Sequence, residues 1–250
     1  MVKPIVSVII PAYNCANYIE KTIDSVLNQH ISLEIIIVSD CSEDNLDQVL
    51  EKYLKLENIT YLKNKSNLGV AESRNRGVRV ARGEYIAYLD ADDWWKSDKL
   101  TKQIKFMEEK QCILCYTARE LVKEDETPTG KVIHVKDEID YNGLLNHNSI
   151  ACSSVVIKRE IAIACPMSHS ELHEDYITWL TILKKYGKAC GIDEPLLIYR
   201  LSKNGKSRKK LKSARMTYGV YRVMEFGRAK ALILMGSHII HGLVKYSKKG

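Results

Sequence analysis

Three carboxylates, Asp90, Asp92 and Asp93, crowd into four positions directly after the apolar run Tyr85-Ile86-Ala87-Tyr88-Leu89. Like charges that close raise one another's pKa and cost stability unless a cation or hydrogen bonds compensate. A small set of oxygen-only donors suits Mg2+ or Mn2+, whose other positions water and a diphosphate can fill. Acids here can instead cap the following helix, a job open also to Ser97 or Asp98. A second acidic pair, Glu174-Asp175, follows His173 and opens a helical stretch that runs to Tyr186. Acids are favourable in the first turn of any helix.

Such groups need a scaffold that brings chain-distant loops to one edge. Residues 5–10, 34–39, 59–62 and 84–89 read as short strands. The intervals carry helical periodicity, through Ile19, Ile23, Val26 and Leu27, then Leu46, Val49, Leu50, Tyr53 and Leu54, then residues 70–81. Strand and helix alternating with short connections imply right-handed crossovers and a largely parallel sheet covered on both faces, an α/β fold. Ligands of such sheets bind beyond the carboxyl ends of the strands. Pro11 to Asn14, Asp40 to Ser42 and Asp90 to Asp93 should therefore converge. Beyond Asp93 the sequence predicts a helix through Leu100, Ile104 and Met107 and a strand over 113–117. A polar, elaborated loop region should reach about Asn148, with turn signals at Pro128-Thr129-Gly130 and Asn142-Gly143. A strand over 153–157 and a helix over 173–186 complete this part.

The 250 residues, 45% hydrophobic and 28% charged, suffice for one domain, or one domain with an appendage. No signal-peptide-like segment precedes the first strand. Seven scattered cysteines, mostly among apolar or small neighbours, suit reduced thiols in the cytoplasm. Cys112-Ile113-Leu114-Cys115 has no second pair or nearby histidine to complete a zinc site. Residues 201–250 hold 13 Lys and Arg against one acid, Glu225, or +12; the preceding 200 carry 25 bases and 30 acids, or −5. A uniformly basic nucleic-acid binder would not divide this way, so no nucleic-acid partner is expected.

Four ordered segments carry a resemblance: Val6-Ser-Val-Ile-Ile-Pro-Ala-Tyr-Asn14; Glu34-Ile-Ile-Ile-Val-Ser-Asp40-Cys-Ser-Glu-Asp44; Asn67-Leu-Gly-Val-Ala-Glu-Ser-Arg74-Asn-Arg-Gly77; and Arg82-Gly-Glu-Tyr-Ile-Ala-Tyr-Leu-Asp90-Ala-Asp92-Asp93. Together they resemble the family 2 glycosyltransferases of GT-A fold, over roughly residues 5–200. The resemblance implies a Rossmann-like, mostly parallel sheet flanked by helices. Residues 1–200 would form the catalytic domain, with 1–93 the nucleotide-binding half and 94–200 the acceptor-binding half. It also implies a nucleotide-sugar site from Pro11, Ala12, Tyr13, Asn14, Asp40, Asn67, Arg74, Asp90, Ala91 and Asp92. Tyr13 offers a face for uracil and Asp40 an acceptor for its ring N–H. Arg74 suits phosphate or carboxylate. Asp92 would hold the Mn2+ or Mg2+, with Asp90 nearer the ribose. Asp175 would be the base, with Glu174 in reserve; Trp94, Arg200 and Lys206 are candidates for acceptor or diphosphate contacts. Two departures stand out: Ser39-Asp40-Cys41-Ser42 replaces the family's Asp-Asp-Gly-Ser, and Ser202 takes the histidine position after Tyr199-Arg200.

In the basic extension, 201–250, the sequence sets Lys230, Ser237, His241, Lys245 and Lys248 opposite Leu232, Met235, Ile239, Ile240 and Leu243. Its apolar part, Ala229 to Val244, is shorter than the roughly 20 apolar residues that span a bilayer. It reads as lying on an anionic membrane surface, or as packed on its own domain or on a second copy in a homodimer. The expectation is thus an inverting, UDP-sugar-dependent hexosyltransferase that forms a β-glycosidic bond on a glycan or lipid-linked saccharide. Its place would be the cytoplasm, peripheral on the inner face of the membrane, in assembly of a surface polysaccharide such as O-antigen or capsule. A nucleotidyltransferase, or a catalytically silent nucleotide-sugar or membrane-binding protein, is the alternative.

Overall fold

A computed structural model describes residues 3–202 and 210–247. The first part alternates as the periodicity requires: β1 (Val6–Ala12), α1 (Ile19–Leu27), β2 (Leu33–Ser39), α2 (Leu46–Leu50), β3 (Ile59–Lys63), α3 (Val70–Val80) and β4 (Tyr85–Tyr88). Strands β3, β2, β1 and β4 lie side by side in parallel. Val6, Val8, Ile9 and Ile10 of β1, with Ile35, Ile36, Ile37 and Val38 of β2, are all buried because helices cover both faces. Gly77 of α3 sits tight on this sheet: a Cβ there would come within 2.5 Å of the Ile9 side chain.

The second part comprises β5 (Trp94–Trp95), α4 (Lys99–Lys110), β6 (Leu114–Lys123), β7 (Pro128–Ile133), β8 (Glu138–Ile139), α5 (Tyr141–Asn146), β9 (Val156–Lys158), α6 (Arg159–Ala164), α7 (Glu174–Tyr186) and β10 (Ala189–Leu201). It continues the same sheet, in the order β3-β2-β1-β4-β9-β6-β10-β5. Here the sheet is mixed: β9 runs antiparallel to β4 and β6, while β6 and β10 are parallel. Two expectations are corrected. The polar stretch before Asn148 is not an extended loop, since β6 runs on to Lys123 and folds back as the β6–β7 hairpin. Residues 152–154 form a 3-10 turn, leaving only β9 as strand in 153–157.

The reduced-thiol expectation also fails at one pair, for Cys112 at the end of α4 and Cys190 at the start of β10 are joined by a disulfide. Cys15, Cys41, Cys115, Cys152 and Cys165 are free. The bridge closes a loop with a sequence separation of 78. Chain-entropy arguments give such a closure about 4 kcal/mol. Cys112→Ser is therefore expected to lower the thermal midpoint measurably in calorimetry under non-reducing conditions, and reductant should lower that of the parent but leave the variant unmoved. Equal midpoints would mean the bridge contributes nothing.

The C-terminal extension forms α8 (Lys210–Val223) and α9 (Arg228–Ser247). Val220 and Tyr221 of α8 and Ala231 of α9 are fully buried against the main core, so the hairpin packs on its own domain. Lys206, Lys245 and Lys248 lie outside the residues whose side chains are described.

Candidate active site

The carboxyl ends of β1, β2 and β4 meet as the strand order requires, and each turn there is fixed by hydrogen bonds rather than apolar packing. Tyr13 leaves β1 about half exposed, with 48% of its surface open. Asn14, at φ 48°, accepts the Glu43 N–H on its side-chain oxygen and donates its own N–H to Ser42 Oγ. Ala12 is buried, its carbonyl accepting the Asp40 N–H at 2.8 Å; Pro11 precedes it in the strand. Cys41 adopts φ 63°. The turn thus retains the left-handed backbone that glycine would occupy most cheaply, although the residue has changed.

Asp40 is buried and faces inward. Its Oδ1 accepts from Asn64 Nδ2 at 2.7 Å and the Leu68 N–H at 2.8 Å, and its Oδ2 from the Gly69 N–H at 2.8 Å. A carboxylate offers about four lone-pair sites, so three protein donors leave room for one more. Asn67 Oδ1 also accepts the Gly69 N–H. Gly69 has φ 87°, and a Cβ there would strike Ser170 Oγ at 2.6 Å. The start of α3 is thereby held from two sides, by Asp40 and by Ser170, whose Oγ accepts the Ala71 N–H.

From α3, Arg74 reaches across the cleft and is only 3% exposed. Its Nη2 meets Asp90 Oδ1 at 2.5 Å and its Nη1 meets Glu174 Oε1 at 2.9 Å. One guanidinium therefore ties the acids after β4 to the pair opening α7, groups 84 residues apart in the chain. Charge-assisted pairs of this kind suit Arg because its planar fork serves two acceptors at once. Next to it on α3, Asn75 clamps the loop before α7: Nδ2 donates to the Met167 carbonyl at 2.7 Å and Oδ1 accepts the Met167 N–H at 2.9 Å. Asn75→Ala leaves both backbone groups unpaired, and about 2–3 kcal/mol of destabilisation is expected. Urea unfolding checks this; a midpoint equal to the parent's would mean the clamp is idle.

The Asp90–Asp93 turn is pinned by side chains from elsewhere. The Asp90 N–H donates to Ser153 Oγ at 3.1 Å, and the Thr22 hydroxyl lies 2.8 Å from the carbonyl oxygens of both Ala91 and Asp93. Burial and the nearby Asp90 push the Asp92 carboxyl up to about 6. Burial, with Asp92 and Asp90, also raises that of Asp93. Asp93 is 1% exposed, accepts the Arg200 N–H on Oδ1 at 3.0 Å, and leaves Oδ2 without a partner. Asp175 is partly open to solvent and accepts the Tyr176 N–H. Buried surroundings and neighbouring Glu174 push its carboxyl up to about 6, a value suited to proton acceptance near neutral pH.

The sequence expectation for Arg200 meets a different arrangement. Its head is occupied by the Asp92 carbonyl at 2.9 Å, the Glu124 carbonyl at 2.7 Å and the Glu126 carboxylate at 3.0 Å, and it lies near the rings of Tyr18 and Trp94. It braces the acidic turn against the β6–β7 hairpin. Trp94 lies at the same edge with Lys21 Nζ 3.9 Å from its ring centre. The residues that the sequence missed are Thr22, Ser153 and Asn75, whose contacts join segments far apart in the chain. A groove of about 890 Å³ lies between α4 and the start of β10 and includes none of these residues.

A cation is a fitting partner for the half-buried Asp92, whose carboxyl is pushed up by its surroundings and by Asp90. Among the described residues no group of three or more His, Cys, Asp or Glu side chains is gathered as a cage. An ion here would take one or two carboxylates, as Mg2+ commonly does beside substrate phosphates.

The glycosyl transferase family 2 model matches residues 7–162, which span β1 to α6. The chain belongs to glycosyltransferase family 2. Within the family it is 42% identical over 227 residues to TuaG of Bacillus subtilis, a glycosyltransferase whose name places it in teichuronic acid biosynthesis; the match covers 89% of each chain. It is 33% identical to WfaP of Escherichia coli, a UDP-Glc:alpha-D-GlcNAc-diphosphoundecaprenol beta-1,3-glucosyltransferase, over 97% of this chain and 95% of that one. Among solved structures, S. aureus TarS 1-349 in complex with UDP-GlcNAc superposes with a TM-score of 0.73 at 16% identity, covering 96% of this chain and 72% of that one. The Pyrobaculum calidifontis mannosyltransferase PcManGT, in complex with GDP-Man and Mn2+, gives a TM-score of 0.69 at 18% identity, covering 91% of this chain and 66% of that one. The family 2 chain thus has the GT-A fold, with a helical hairpin at its C-terminal side.

Proposed function

We propose that this glycosyltransferase moves a hexosyl group from a UDP-sugar to a hydroxyl of a lipid-linked saccharide with inversion, giving a β-linkage, in surface-polysaccharide assembly. The observation that carries the reading is the Arg74 bridge between Asp90 and Glu174, which sets Asp175 beside the acidic edge. The names of WfaP and TuaG support the acceptor class and context, and the UDP-GlcNAc complex of TarS supports the donor class.

On this reading Tyr13 stacks on uracil, and the remaining lone pair of Asp40 takes its ring N–H. Pro11, Ala12, Asn14 and Asn67 shape that end of the site, and Asp90 lies at the ribose. Asp92 holds Mn2+ or Mg2+, which when bound supplies positive charge for the leaving diphosphate. Arg74 adds its own charge there, a preorganised electrostatic contribution. Asp175 accepts the proton of the acceptor hydroxyl as that oxygen bonds to the anomeric carbon and the bond to UDP breaks. Trp94 flanks the acceptor side. Arg200 acts through the backbone of Asp92 as a positioning residue.

The test is a transfer reaction with purified protein, Mn2+, a panel of UDP-α-sugars and a lipid-linked GlcNAc-diphosphate acceptor, with anomeric coupling of the product read by proton NMR. A β-linked product is expected. An α-linked product would overturn the inverting assignment, and absence of product with every donor would overturn the proposed donor and acceptor classes.

A further inference from the structure

Helix α9 has two apolar faces, and the described chain covers only one. Inward, Ala231 is fully buried, Leu234 and Met235 pack on the main core, and the His238 ring lies 4.7 Å from that of His147. Met235 therefore does not share the face of Leu232, Ile239 and Ile240 as the sequence pattern suggested. Outward, Leu232, Ile233, Ile239 and Ile240 are 54%, 72%, 44% and 63% exposed. Positions i, i+1, i+7 and i+8 fall on one side of a helix. Scattered exposed apolar residues need no explanation, but a stripe of four does.

The charge of the whole hairpin says what fits the stripe. Over residues 211–242, Lys212, Arg215, Arg222, Arg228 and Lys230 are exposed, against the single acid Glu225. A second copy would bring the same cations against one another. An anionic headgroup layer would neutralise them while the aliphatic side chains entered the acyl boundary. Among the described residues no helix is long and apolar enough to cross a membrane, so the chemistry is that of a helix lying on a surface. The hairpin is also rooted beside Asp175: His173 Nε2 lies 3.4 Å from the Ser213 carbonyl, and Leu172 sits against Gly219, where a Cβ would come within 2.6 Å.

We propose that the α8–α9 hairpin docks on an anionic phospholipid surface through Leu232, Ile233, Ile239 and Ile240, its cations meeting the headgroups and the Asp175 side of the molecule lying at the bilayer. Docking needs no sugar donor or acceptor, so its failure would leave the transferase reading standing.

Co-sedimentation of the full chain with phosphatidylglycerol-containing vesicles, against pure phosphatidylcholine vesicles, tests it. The parent is expected to bind the anionic vesicles and to be released by raised salt, while the double variant Ile233→Ser/Ile240→Ser binds at least about ten-fold more weakly with an unchanged thermal midpoint. Ile233→Ser alone, at the most exposed of the four positions, gives the same comparison with the least disturbance of the fold. Three outcomes would overturn the proposal: no binding of the parent, equal binding of parent and variants, or a dimer of the parent in light scattering that the variants dissolve.

Discussion

Asp175→Asn is expected to lower kcat by about 10²- to 10⁴-fold, the range for loss of a positioned general base, with UDP-sugar affinity within about three-fold of the parent. Asparagine keeps the shape and a side-chain oxygen for the Tyr176 N–H, so the loss would report proton acceptance rather than collapse of the loop. The pH dependence follows from the same group. Its carboxyl is pushed up to about 6, and the active form is the deprotonated one. The parent's kcat/KM should therefore be level above that value and fall about ten-fold per unit below it, at saturating metal. In stability the sign is opposite: raising an acid's folded pKa above its unfolded value makes the folded state relatively weaker as pH rises through that window. A loss of activity on acidification together with unaltered folding would thus separate the catalytic effect from the structural one. An Asp175→Asn enzyme within a few-fold of the parent would remove Asp175 as the base.

Arg74→Met should have the largest effect on the fold. The guanidinium is 3% exposed and holds two carboxylates. Removing one partner of a buried ionic network costs about 3–5 kcal/mol, because the remaining charges stay behind without compensation. Urea unfolding should show a loss of that order, and the double variant Arg74→Met/Glu174→Gln should recover part of it, since one stranded charge is then absent. Purely additive losses would mean that Arg74 and Glu174 act independently. Donor binding should weaken as well, since on the proposed reading Arg74 lends its charge to the diphosphate.

The parallel half of the fold was legible because buried strands such as Val6–Ala12 and Leu33–Ser39 are continuous apolar runs, and their ends carry the polar residues that meet in space. Asp90 and Asp92 stand out for the same reason, as charges at the end of an apolar strand, whereas Arg74, amid Glu72, Arg76 and Arg79, is singled out by the family resemblance. The β6–β7 hairpin was not legible, because Pro128–Ile133 is an edge strand with little buried surface and hence no alternation to read. Ser153 and Thr22 were missed because hydroxyls that pin a distant backbone leave no periodic trace. The Cys112–Cys190 bridge lay beyond composition, since pairing across 78 residues is a fact of the tertiary fold. Arg200 shows the reverse error, a charged side chain expected to face a ligand whose donors are taken by Asp92, Glu124 and Glu126. Helix α9 differs in a subtler way: Met235, expected on the face of Leu232, Ile239 and Ile240, turns inward onto the core, while those three are exposed.

The most direct test of the central claim is which bond of the donor breaks, the anomeric C–O bond or a P–O bond within the nucleotide. Phosphorus NMR of the purified protein with Mn2+, a UDP-sugar and the lipid-linked acceptor should show the donor converted to UDP, with the signal lost in Asp92→Ala and slowed to near background in Asp175→Asn. Release of sugar 1-phosphate, with the uridylyl group carried to the acceptor, would place the cleavage at the phosphoanhydride bridge and make the protein a nucleotidyltransferase. A donor spectrum unchanged across the UDP-sugar panel would contradict UDP-sugar transfer by this site.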